Sequence, residues 1–261
     1  MVSAVRTLKL TIQYLGTHYR GWQIQPEGPT VQGSLERALE KFLRVPVRVA
    51  GAGRTDRGVH ARGQVASLTT VSLIPTRGIL LGVNGLLPAD IRLMSVEDAP
   101  LGFHARHHAV SKDYAYRFST APILSPFLAP TVHSVRGTLQ IASMAEAASH
   151  FLGNQDLCAF CGPEGRQKNT RRVVTVSRLI EEDEGVWSYR VSANGFLQHL
   201  VRTIVGTLLE VGKGRLEAAA IPAILASKDR RRAGATASPV GLMLERVHYP
   251  EAGILATPEG V

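Results

Sequence analysis

The sequence predicts an α+β protein built from two ferredoxin-like βαββαβ halves. Three observations predict it. Apolar residues alternate with period two at Leu8, Leu10, Ile12 and Tyr14, as in a strand, and recur at helical spacing at Leu35, Ala38, Leu39, Phe42 and Leu43. The same order of elements comes round a second time after a break near residues 100–109, without any repeat of the sequence itself. A chain of 261 residues with 44% apolar content also suffices for two domains, each with its own core.

In the first half, strands at residues 45–50 and 64–68 follow the initial strand and helix, and a short helix at 75–82 and a strand at 91–96 complete the order. The second half reads as a strand at 112–118, a helix at 140–151, strands at 173–180 and 186–192, a helix at 198–211 and a strand at 241–247. Residues 216–226 read as an inserted helix. The expected domains are therefore 1–105, an N-terminal α/β domain, and 106–250, a C-terminal one, with a tail at 251–261. Along the 198–211 helix, Leu197, Leu200, Val201, Ile204, Val205, Leu208 and Leu209 form one apolar face, with Arg202 on its flank. Tyr114, Tyr116 and Phe118 share one face of their strand, a pattern that suits a core row or a binding platform.

The formal net charge of +9 points to a polyanionic partner, because neutralising phosphates releases counterions. Basic residues cluster at Arg166, Lys168, Arg171 and Arg172, and again at Lys228, Arg230, Arg231 and Arg232. No apolar run approaches the roughly 18 residues of a membrane span and Met1-Val2-Ser3-Ala4-Val5-Arg6 is not a signal peptide, so the expected location is the cytoplasm. Cys158 and Cys161 form a single C-x-x-C without a second ligand pair, and His104, His107 and His108 lack a neighbouring carboxylate or thiol. Neither set makes a metal site by spacing.

The most informative segment is the turn Gly51-Ala52-Gly53-Arg54-Thr55-Asp56-Arg57-Gly58-Val59-His60. Asp56 is the only acidic residue from Arg44 to Arg62, among Arg44, Arg48, Arg54, Arg57 and Arg62. Nearby cations favour the carboxylate form, which suits a nucleophile or base better than an acid. Glycines permit close backbone approach, and guanidinium groups fork onto phosphate oxygens. A turn aspartate that accepts backbone hydrogen bonds is the competing reading. The G-x-x-x-x-G-K-[ST] and G-x-G-x-x-G fingerprints both fail here, so nucleotide-cofactor loops are excluded.

Gly53 with Arg54-Thr55-Asp56-Arg57-Gly58-Val59-His60-Ala61 closely resembles the signature G-R-T-D-x-G-V-H of the tRNA pseudouridine synthase A family. Further blocks match in order: Gly21-Trp22-Gln23, Gly82-Val83-Asn84 before Leu87-Pro88, Phe103-His104-Ala105-Arg106, Tyr114-Ala115-Tyr116, and Leu200-Val201-Arg202-Thr203-Ile204-Val205-Gly206. The resemblance runs from about Leu8 to Tyr249. It implies the pseudouridine synthase fold, with substrate in a central cleft between two α+β halves, and conversion of uridine to pseudouridine at positions 38, 39 and 40 of the tRNA anticodon arm. It implies Asp56 as the catalytic group, Arg202 as its ion-pair partner and Tyr114 packed against the target base. Arg54 reads either as a phosphate anchor or as a wedge, and the cost of unstacking a base favours the wedge that helps extrude it. Arg57 and His60 are the remaining expected substrate contacts. No cofactor or metal is implied, and the partners are tRNA and a second copy of the chain in a homodimer. Asp113 departs from the family pattern, in which the neighbours of the tyrosine are commonly basic. The rival reading is a non-catalytic RNA-binding protein with two RRM-like sheets, for which the Gly-Phe-Gly-Phe type of segment is missing.

Overall fold

The computed structural model describes residues 5–166, 169–182 and 185–250. They form a mixed α+β protein of two compact units, the first holding residues up to Val110 together with those from Leu244, and the second spanning Ser111–Met243.

The first unit contains β1 (Arg6–Tyr14), α1 (Val31–Leu43), β2 (Ala50–Gly51), β3 (His60–Thr70), α2 (Thr76–Asn84) and β4 (Ile91–Ala99). Strand order is β4-β1-β3 with β2 on β3, the arrangement of a split βαβ unit. Leu8, Leu10 and Ile12 of β1 are fully buried, as their alternation requires. Pairing of β1 with β3 slips between Ile12 and Tyr14, and this bulge lies at the end of β1 nearest the 52–59 loop. Helix α1 starts at Thr30, whose hydroxyl accepts the Gly33 N–H at 3.2 Å, and buries Leu35, Ala38 and Leu39.

The strand expected at 45–50 is reduced to Ala50–Gly51. Val47 and Val49 are buried as the pattern suggests, but their N–H groups donate to carboxylates of α1 instead of a ladder. Val47 binds Glu40 Oε1 at 3.2 Å and Val49 binds Glu36 Oε1 at 3.0 Å.

The second unit contains β5 (Ser111–Ser119), β6 (His133–Ser134), α3 (Ile141–Ser149), β7 (Gly153–Asp156), α4 (Pro163–Arg166), β8 (Arg171–Glu181), β9 (Val186–Ala193), α5 (Leu200–Gly212) and α6 (Ile221–Ser227). Its strand order is β5-β9-β8-β7, with β6 parallel to β5. Tyr116, Phe118, Phe151, Phe160 and Tyr189 fill its core, and the inserted helix appears as a 3₁₀ turn leading into α6. The chain's last strand, β10 (Leu242–His248), carries most of its residues into the first unit, where Val110 N–H donates to the His248 carbonyl at 2.9 Å. Tyr249 follows it there, its hydroxyl donating to the Ala105 carbonyl at 2.6 Å and its ring edge-on to Phe103.

Candidate active site

The 52–59 loop joins β2 to β3 and is fixed along both flanks. Ala52 N–H donates to the Val65 carbonyl (2.7 Å), and the Gln64 amide donates to the Gly53 carbonyl (2.9 Å). Trp22 N–H donates to the Thr55 carbonyl (3.1 Å), and the Thr55 hydroxyl sits 2.8 Å from that of Tyr14. Gly58, at φ 78°, gives its N–H to the Tyr19 carbonyl at 3.3 Å, and Val59 N–H closes a turn on the Asp56 carbonyl at 3.1 Å.

The entry segment of the chain reaches this loop because it carries glycines at the points of contact. Gly21 has φ 98°, and a Cβ there would lie 2.5 Å from the Thr55 carbonyl oxygen; at Gly16 it would lie 2.0 Å from that of Val59. Tyr19 is pinned in turn by its hydroxyl, which donates to Asp90 at 2.6 Å. Burial pushes the hydroxyl of Tyr14 above the ordinary tyrosine range despite opposing hydrogen bonds from Thr55 and Gln64, so it serves as a neutral hydrogen-bonding prop.

Exposure alternates along the loop as a result. Thr55 is 6% exposed and faces inward, Arg54 and Arg57 are exposed, and Asp56 between them is half-buried. A carboxylate is thus presented between two solvent-facing guanidinium groups on a backbone with little freedom to move. His60, expected to touch substrate, does not belong to this surface: its ring is 0% exposed and its Nδ1 accepts the Gly16 N–H at 3.1 Å. It holds the loop from behind.

In the second unit, Tyr114 of β5 lies opposite Val191 and is 7% exposed, its ring edge-on to Phe196 at 4.7 Å. Asp113, the departure beside it, accepts the Ser192 hydroxyl at 2.6 Å from the paired strand. Tyr116 and Phe118 are core residues, both fully buried. The Tyr116 hydroxyl donates to the Ser238 carbonyl at 2.9 Å, and burial raises its pKa against a smaller opposing pull from the charge of Arg202. Arg202, in the first turn of α5, is half-buried rather than a solvated flank residue. Its Nε donates to the Ala237 carbonyl at 2.8 Å, and its own carbonyl accepts the Ala237 N–H at 3.0 Å.

The basic clusters are not uniform. Arg166, Arg171, Lys228, Arg231 and Arg232 are exposed, and two of these are paired, Lys228 with Asp156 (2.8 Å) and Arg231 with Asp229 (2.8 Å). Arg172 donates to the carbonyls of Asn169 and Arg171, and Arg230 turns onto its own chain. Lys168 lies outside the described residues. Cys161 is buried, which raises its thiol pKa, and its Sγ lies 3.3 Å from the Cys158 carbonyl. His104 and His108 use Nδ1 as acceptors for backbone N–H groups within their own turn. Among the described residues, no three His, Cys, Asp or Glu side chains group as metal ligands, and no helix is long and apolar enough to cross a membrane.

A family model described as tRNA pseudouridine synthase matches residues 10–108 and 147–250, a span that includes the Asp56 loop and α5. The tRNA pseudouridine synthase A of Myxococcus xanthus is 42% identical over 254 residues, covering 97% of this chain and 96% of that one. That of Geotalea uraniireducens is 44% identical over 246 residues, covering 94% of this chain and all of the relative. This chain belongs to the tRNA pseudouridine synthase A family. It is an isomerase of that family, and the α+β fold is the family's. A solved archaeal box H/ACA sRNP Nop10-Cbf5 complex is a more remote likeness, at 13% identity and a TM-score of 0.36 over 77% of this chain and 44% of that one.

Sequence reasoning singled out the synthase's loop but missed the groups that hold it. Tyr14 was legible only as an alternating core residue, and its bond to Thr55 has no sequence signature. Gly16 and Gly21 are the signal that could have been used, since glycines on either side of Tyr19 suit a segment that must approach another backbone closely. Ala237, which grips Arg202 from 35 residues away, offers no side-chain clue at all.

Proposed function

We propose that this synthase converts uridine to pseudouridine at positions 38, 39 and 40 in the anticodon arm of tRNA, as a cytoplasmic homodimer, with Asp56 as the reacting group. The reaction is an isomerisation. The C1′–N1 bond breaks, the detached uracil turns, and C1′ bonds to C5; the hydrogen at C5 leaves and N1 gains a proton, so oxidation state is unchanged. The chemistry requires a fixed carboxylate next to the nucleoside, acting on C6, on C1′ or on a sugar proton.

The observation that carries this reading is the half-buried Asp56 on a loop clamped from both sides, with Arg54 and Arg57 exposed on either side of it. Arg54 enters the space the extruded base leaves, where a guanidinium plane offsets part of the unstacking cost, and Arg57 contacts a phosphate. Tyr114 packs on the uracil, which its buried, edge-on seat against Phe196 suits, because the ring has one orientation available. Arg202 pairs with Asp56, and the bond from its Nε to Ala237 favours this role by restricting the side chain. In this reading His60, whose buried ring accepts the Gly16 N–H, supports the loop from behind.

The test uses tRNA carrying 5-tritiated uridine only at positions 38–40. Because the new bond at C5 expels that hydrogen, multiple-turnover tritium release is expected, and none from a tRNA labelled only elsewhere. Release from uridines outside the anticodon arm at a comparable rate would reject the assigned positions.

A further inference from the structure

Arg230 falls in a run of cations that charge patterning assigns to phosphates, yet its guanidinium points back at its own chain. Nη1 donates to the carbonyls of Gly234 (2.8 Å) and Ala233 (3.3 Å), and Nη2 to the Thr236 hydroxyl (3.2 Å). All three acceptors lie in the segment 233–237, which has no regular structure and runs along α5 at a distance that glycine alone allows. A Cβ at Gly206 would lie 1.7 Å from the Ala235 carbonyl oxygen, and one at Gly234 would lie 2.8 Å from the Thr207 Cα. Thr207 closes the contact, accepting the Gly234 N–H at 2.9 Å while donating to the Thr203 carbonyl at 2.9 Å.

At the other end of the same segment, Ala237 holds Arg202 through both of its backbone groups. Arg230 therefore holds Ala233, Gly234 and Thr236, and Arg202 holds the adjoining Ala237. The segment makes no strand ladder, and besides the Thr207 and Arg202 contacts and a 3.4 Å approach of the Thr203 and Thr236 hydroxyls, the fork of Arg230 supplies the bonds that order it. Lysine could not, because one ammonium on a flexible stem does not present the same planar fan of donors.

We propose that Arg230 is a positioning residue: by fixing the 233–237 segment it fixes the Ala237 carbonyl, and through it the direction of the Arg202 guanidinium. Its effect on the reaction rests on the reading that Arg202 pairs with Asp56. Displacing a catalytic partner by about 1 Å lowers turnover roughly 100-fold, so the loss on freeing Arg202 lies between roughly tenfold and that limit.

The experiment compares Arg230→Met, Arg230→Lys and Thr236→Val, each checked for folding by circular dichroism. The first readout is hydrogen exchange of the Arg202 Nε–H by NMR, the signal being assigned by its loss in Arg202→Lys. Exchange should accelerate in Arg230→Met, less in Arg230→Lys, and least in Thr236→Val, which removes one acceptor of three. The second readout is tritium release, where kcat should fall in the same order with KM for tRNA and the salt dependence of binding unchanged. Unchanged Arg202 exchange in a folded Arg230→Met overturns the proposal, as does a raised KM with a shallower salt dependence, the mark of a phosphate contact. Faster exchange with normal kcat overturns the positioning role if Arg202→Met itself lowers kcat. If Arg202→Met is also fully active, the same result upholds the control of Arg202 by Arg230 and removes Arg202 from the reaction.

Discussion

At the scale of single residues, the loop's geometry depends on buried hydroxyls and ring nitrogens more than on the residues that face solvent. The Tyr14–Thr55 contact is the clearest case. Tyr14→Phe keeps the ring and removes the hydroxyl, leaving a buried Thr55 side chain short of a partner, a change that costs about 1–3 kcal/mol. The expected outcome is a lower urea midpoint with unchanged slope, and a kcat that falls while tRNA affinity is retained. Equal midpoints for Tyr14→Phe and wild type would show that the hydroxyl contributes nothing to holding the loop. The same scale shows what the signature leaves unsaid of His60: sequence does not reveal that Gly16 N–H binds its buried ring.

At the scale of elements, the strong periodicities translated directly into structure, while the segment at 45–50 did not. Alternating valines report burial, and Val47 and Val49 are buried; what they cannot report is that Glu36 and Glu40 of α1 claim the backbone N–H groups. Carboxylates act on elements in the second unit as well. Glu182, just beyond β8, accepts from Arg117 Nε of β5 (2.8 Å) and from Arg190 of β9 (2.6 Å). Burial alone would raise its pKa, but the two arginines outweigh burial and hold it below the usual carboxylate range. A pKa lowered on folding stabilises the folded state above the unfolded value, and that stability is lost as pH falls through the folded one. Glu182→Gln should therefore lower the urea midpoint at neutral pH, with the gap to wild type shrinking as pH is taken below the carboxylate range. A gap independent of pH would show that the arginines do not depend on the charge of Glu182.

At the scale of the whole molecule, the family and the fold class were legible because the matching blocks span nearly the full chain and each half carries its own periodic elements. The division of the charge was not. A count of arginines cannot separate Arg166, Arg171 and Arg232, which face solvent, from Arg230, which turns onto its own chain, or from Arg231, which is exposed but paired with Asp229. Replacing Arg166, Arg171 and Arg232 by alanine should weaken tRNA binding and make the plot of log K against log salt shallower by roughly one unit per lost contact. An isolated anticodon stem-loop should be nearly indifferent to the same change, and equal losses for stem-loop and full-length tRNA would contradict contacts outside the anticodon arm.

The central claim is that the carboxylate of Asp56 carries out the isomerisation, and Asp56→Asn tests it with least disturbance because the two side chains are almost isosteric. With purified protein and tRNA labelled with 5-tritiated uridine, the variant should release no tritium above background while its tRNA affinity stays within about tenfold of wild type. Sustained multiple-turnover release by Asp56→Asn would contradict the account.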